Sequence, residues 1–141
     1  MRILVLTVLA AFGAGSALAA TAWTATSTTA ISITGDIVVE EERILFANGA
    51  ELRIVPVDPE VAGVYRVEPP ADPELENGNR LCGRDLVRFV ALGRSADSAS
   101  LSDSPSLFLK VFDGDSPPPA SAAVGMSAGG AGLCATYNYA R

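Results

Sequence analysis

Few side chains in this chain are equipped for chemistry, and one absence shapes the list: histidine does not occur. That removes Ser-His-Asp and Cys-His nucleophile systems, imidazole metal ligands and the usual neutral-pH switch. Sixteen carboxylates, nine arginines, one lysine, three tyrosines and two cysteines remain. Two carboxylates at a set separation beside a cleft can hydrolyse a glycoside. A chain of 141 residues with a single tryptophan supplies little wall for a deep cleft, so a small carboxylate-dependent hydrolase is the third reading here. Asp113 and Asp115, with Asp97 or Asp103, offer oxygen ligands to calcium, but the full spacing of a calcium loop is missing and the run reads as a plain turn. Glu40, Glu41 and Glu42 are consecutive, and on a strand three such residues cannot all face one site. The glycines at 129, 130 and 132 do not stand between a strand and a helix, as a phosphate-binding loop requires. No catalytic residue, metal or cofactor is assigned.

The two cysteines, Cys82 and Cys134, lack CxxC spacing and suit a structural disulfide in an exported chain. Tyr65, Tyr137 and Tyr139 are the candidate binding residues, because an amphipathic ring suits an interface. Their alternative role is packing at the rim of the core with the hydroxyl in water. Trp23 is expected to anchor the N-terminal core, with a binding-surface aromatic as the alternative.

The elements that must position these groups are short and extended. Residues 1–19 read as a signal peptide: Arg2, an apolar run over Ile3–Phe12, then Ala17-Leu18-Ala19 as a small-residue cleavage site. An uncleaved membrane anchor is the alternative. Residues 20–141 then form one domain, where 16 acids face nine bases, a net charge of −7. This argues against nucleic acid as a partner, and no second membrane segment follows.

Turn chemistry and apolar period agree best over Glu41–Val55. Asn48-Gly49 marks a hairpin. A three-residue loop with Gly49 left-handed puts Ile44, Phe46, Leu52 and Ile54 on one face. The same register sets Arg43 opposite Arg53, which needs Glu51 or another acid between them. Threonine-rich Ala20–Thr34 reads as one or two strands, with Ile31 and Ile33 alternating with polar residues. Asp72-Pro73 suits a single helical turn stopped by Asn77-Gly78. Leu86–Leu92 reads as a strand covered on both faces. Val87 and Phe89 are expected to pack with Phe108 and Phe112 in one core. Leu107–Phe112 sorts Leu107, Leu109 and Val111 from Phe108, Lys110 and Phe112. The stretch 93–106 reads as a loop, 116–132 as a flexible surface excursion, and Leu133–Tyr139 as a closing strand tethered by Cys134. The fold expected is all-β: a sandwich or small barrel of about seven strands, one short helical turn and one disulfide.

TAISITGDIVV, NGNRLCG and LCATYNY together resemble a set of small exported bacterial β-proteins without assigned activity. The resemblance covers most of residues 20–141 and brings no catalytic residues. It implies a non-catalytic domain, periplasmic or secreted, with a binding or structural role in the envelope and an envelope or extracellular macromolecule as partner. A proteinaceous inhibitor of a cell-wall hydrolase such as lysozyme is the alternative, from likeness of size and build.

Overall fold

The structure, a computed structural model, describes residues 20–94, 105–125 and 130–141. The segment 1–19, the loop acids Asp97 and Asp103, and residues 126–129 of the expected excursion lie outside the described residues. The chain is all-β. Eight strands run β1 (Thr21–Ala25), β2 (Ile37–Val39), β3 (Arg43–Phe46), β4 (Glu51–Pro56), β5 (Val64–Ala71), β6 (Val87–Arg94), β7 (Ser106–Phe112) and β8 (Leu133–Ala140). Each pairs antiparallel with the next, and β8 returns to β1 to close a barrel. Closure removes the exposed edges that an open sheet must protect.

The hairpin forms in the expected register. Ile44 opposes Leu52 and Arg43 opposes Arg53, Gly49 has φ +89°, and Asn48 Oδ1 accepts the Ala50 N–H at 3.0 Å. The two opposed arginines are tolerated because the Arg43 guanidinium donates to Glu40 and, at 3.0 Å, to Glu51. These carboxylates raise its pKa further above the ordinary arginine value, Glu40 foremost.

Inside the barrel Trp23, Ile37, Ile44, Leu52, Leu109, Val111, Tyr137 and Tyr139 belong to one buried cluster, so Trp23 is the core anchor expected of it. An eight-stranded barrel is just wide enough for side chains to fill it or for one small ligand to enter.

β6 and β7 are covered on both faces, but two separate clusters do the covering. Val87 joins the barrel interior, whereas Phe89, paired with Phe112, packs outside it with Ala91 and Ala122. The single core expected for Val87, Phe89 and Phe112 is therefore divided by the barrel wall. The β5–β6 ladder explains the change of face, since its register shifts between Arg66 and Ala71. Pro69 and Pro70 lie in that interval and have no N–H to give the ladder.

The outer cluster owes its cover to the excursion between β7 and β8. Its Ala122 is fully buried. Lys110, buried on the outer face, donates from Nζ to the carbonyls of Ala122 (3.1 Å) and Gly125 (2.6 Å) and lies 4.6 Å from the Phe108 ring centroid. Burial lowers the Lys110 pKa. Gly93 makes the close approach possible: a Cβ there would sit 2.2 Å from the Phe108 ring and 2.3 Å from the Ala123 carbonyl.

Two local expectations are corrected. Ala30–Thr34 is a wide helical turn rather than a strand, closed by the Gly35 N–H on Ala30 O at 2.8 Å. Ser27 Oγ accepts the Ala30 N–H at 3.2 Å and Ser32 Oγ donates to Thr28 O at 2.8 Å, so short polar side chains outcompete the ladder. Asp72 does not cap a helix. The helical turn is Glu76–Gly78, and the Asp72 carboxylate accepts the N–H groups of Leu81 (2.8 Å), Cys82 (3.4 Å) and Gly83 (2.9 Å) instead.

Candidate functional site

The two ends of the barrel are built differently. At one end the connections β1–β2, β3–β4 and β5–β6 are stitched into a plug. Asn79 and Asn77 donate to Ser32 O at 3.2 and 3.4 Å, and Asn48 donates to Glu74 O at 2.9 Å. Leu75 and Leu81 turn inward to join the core. The bond between Cys82 and Cys134 holds the plug to β8, with a Cα separation of 5.2 Å.

Tyr137 and Tyr139 belong to this plug and not to a surface. They are 0% and 1% exposed, which corrects the expectation that all three tyrosines reach the exterior. The Tyr137 hydroxyl donates to Leu81 O at 2.8 Å, and the Tyr139 hydroxyl pairs with Thr34 Oγ1 at 2.7 Å. Burial, aided by the negative charge of Asp72, pushes the Tyr137 phenol up to about 12. Burial also raises Tyr139, against the opposing hydrogen bond from Thr34.

Alkaline stability follows from these shifts. In the unfolded chain both phenols ionise near their ordinary value of about 10. From about pH 10 to 12 the unfolded chain has released protons the folded chain still holds, so stability falls as pH rises, by about 1.4 kcal/mol per pH unit per tyrosine. Below that window neither phenol contributes. Urea denaturation at stepped pH measures the slope, and Tyr137→Phe removes the part that belongs to Tyr137.

At the opposite end the β6–β7 connection, 95–104, lies outside the described residues, and among the described residues that end is open. A cavity of about 420 Å³ lies there, walled by Trp23, Val39, Tyr65, Leu92, Arg94 and Leu107 among others. The excursion reaches this mouth: Ala123 and Val124 line it, and Val124 is 75% exposed. Gly63 lets Ala123 close in, since a Cβ there would lie 2.6 Å from the Ala123 Cβ. Arg94 is exposed, and its guanidinium sits 5.3 Å from the centroid of the Trp23 ring. Of the three tyrosines proposed from sequence, only half-buried Tyr65 lines this cavity.

Sequence reasoning missed Arg94, Leu92 and Leu107 as lining residues. Read from sequence, Arg94 falls in the loop 93–106, whereas β6 runs on through Gly93 and Arg94 and β7 begins at Ser106. The meeting of Arg94 with Trp23 needs barrel closure.

Elsewhere there are further cavities, one of about 330 Å³ beside Glu41, Glu42, Arg53 and Glu68 and one of about 500 Å³ between β1, β2 and β3, lined by Trp23, Asp36, Phe46 and Arg141 among others. Among the described residues, the grouping of potential metal ligands that comes together is Cys82, Asp113 and Cys134. Both of its sulfurs are in the disulfide, so it offers no thiolate. No helix among the described residues is long and apolar enough to cross a membrane. No family model, curated protein or solved structure matches the chain.

Proposed function

We propose that the protein is a non-catalytic binding barrel, exported to the periplasm or beyond, whose working surface is the open end. The observation that carries this reading is the asymmetry of the two ends. One is plugged by three stitched connections and a disulfide, while the other keeps a cavity of about 420 Å³ with aromatic and aliphatic walls. That volume lies in the range of small-molecule sites, and a barrel mouth is a favoured place for them. Export is supported by the leader-like residues 1–19 and by a disulfide in a chain with no CxxC pair. The charged outer faces of β3, β4 and β5, with Arg43, Glu51, Arg53, Arg66 and Glu68, are the reverse of a lipid-facing band.

Native mass spectrometry of the protein recovered from its own cells tests the reading. A small-molecule mass is expected on the wild type and absent from Leu92→Trp, which fills the mouth, provided that variant keeps a cooperative thermal transition. An equal bound mass on both proteins, or none on the wild type, would refute it.

A second reading, an inhibitor of a cell-wall hydrolase such as lysozyme, draws on the acids of the β2–β3 and β4–β5 connections. Glu40, Glu41, Glu42, Asp58 and Glu60 all stand at the open end. Opposite charge on an enzyme cleft would steer such an encounter. Lysozyme activity at low and high salt with excess protein measures it: salt-sensitive inhibition supports it, and unchanged turnover removes it.

A further inference from the structure

We infer that the open end selects small molecules with an apolar body and a carboxylate, the carboxylate meeting Arg94 and the body lying among Trp23, Leu92 and Leu107. This rests on the reading of the open end as the binding surface and adds the chemistry of what enters it.

The argument starts from hydrogen-bond donors left over at the mouth. Among the described residues the Arg94 side chain has no ion pair and no hydrogen bond: the four ion pairs involve Arg43, Arg66 and Arg88. Among the described residues no carboxylate lines the cavity. The Tyr65 hydroxyl has no hydrogen bond to a described residue either, and neither does the indole N–H of Trp23. No buried side-chain nitrogen or oxygen among the described residues lacks a partner. The Trp23 N–H is therefore part of the 3% of that residue still open to solvent. Arg94 and Tyr65 in this cavity thus hold side-chain donors that the described residues do not use, and Trp23, which lines both this cavity and the one between β1, β2 and β3, holds a third. A guanidinium and an indole N–H are donors only, so the complementary ligand group is an acceptor with several lone pairs, which a carboxylate supplies.

The Trp23 ring adds a second element. A guanidinium over an aromatic face is held by cation–π attraction and keeps the N–H groups on its edge available for a bidentate acceptor. The wall also includes Val39, Leu92, Leu107 and the exposed Val124, with Thr21 as its other polar side chain among the described residues, and so favours an apolar body. The acids of the neighbouring connections oppose an anion at long range. At physiological ionic strength the screening length is about 8 Å, so contact pairing at Arg94 survives while distant repulsion fades.

The protein carries its own reporter, since Trp23 is the single tryptophan. Its emission is followed during titration with octanoate and, separately, with 1-octanol, which has the same body and no charge. Saturable change with octanoate is expected, at a concentration roughly tenfold below that needed for 1-octanol. Arg94→Gln should erase that preference while leaving the 1-octanol response in place, and Arg94→Lys should keep part of it. Equal response to both probes, with Arg94→Gln indifferent, would overturn the carboxylate selection and leave the open-end reading standing. No response to either probe would overturn both.

Discussion

Replacing Cys82 and Cys134 together by alanine lowers the unfolding free energy by about 4 kcal/mol, the chain-entropy value for a closed loop of this length, and lowers Tm by roughly 15 °C. The bond joins residues 52 apart in sequence. It ties the long β5–β6 connection to the start of β8, so its loss frees in the unfolded chain a large loop that it otherwise restrains. The native geometry has nothing else of this kind at that point: Cys82 is half-buried, and its backbone N–H makes only a 3.4 Å contact with Asp72. Urea denaturation of the oxidised wild type and the double variant gives the difference. The variant should unfold at lower urea, with a higher slope of free energy on denaturant because its unfolded chain, no longer cross-linked, exposes more surface. A loss below about 1 kcal/mol would mean that hydrogen bonds alone hold the plug.

Asp72→Ala is the second large effect, with a loss of about 3 kcal/mol. One carboxylate accepts three backbone N–H groups in the stretch that carries Cys82, and Asp72 is only 8% exposed. Removing it strands the buried Leu81 N–H outright, at about 1–3 kcal/mol, while the Gly83 N–H, on an exposed residue, turns to water at smaller cost. The change also loosens the Leu81 carbonyl, which is the acceptor of Tyr137. Asp72→Asn keeps one carbonyl acceptor and should recover part of the loss. Equilibrium unfolding of the three proteins checks the order wild type, Asn, Ala; an Ala variant as stable as the wild type would show that the loop is held from elsewhere.

What was legible in the sequence follows from which interactions are local. The Asn48-Gly49 hairpin could be read to the residue because the left-handed glycine and the alternation of Ile44, Phe46, Leu52 and Ile54 demand the same register. β6 and β7 were legible as apolar runs broken only by Arg88 and Lys110, and the partition of Leu107, Leu109 and Val111 from Phe108, Lys110 and Phe112 is the partition of barrel interior from outer wall. The pairing of Cys82 with Cys134 needed only the count.

The failures are of long range. Ile31 and Ile33 alternate as a strand would, yet serine and threonine hydroxyls wind that stretch, and Thr34 is fixed by Tyr139 from the far end of the chain. Tyr137 and Tyr139 have the composition of interface residues, and their buried role depends on Leu81 O and Thr34 Oγ1, which no local pattern reveals. The excursion after β7 has the composition of a linker. Its docking rests on Lys110 reaching two carbonyls and on Gly63 and Gly93 leaving room for Ala123. The mouth was illegible for the same reason, since Trp23 on β1 and Arg94 on β6 meet only after the strands close on themselves.

The most direct test of the open end as the working surface is to map which backbone amides move in an NMR spectrum when 1-octanol and then octanoate are added to the protein. The account predicts that the shifts gather on Trp23, Tyr65, Leu92 to Arg94, Leu107 and Val124, and leave the plug around Leu81 and the outer face of β3 and β4 unchanged. Shifts gathered on the groove beside Glu42 and Arg53, or none at all, would contradict it.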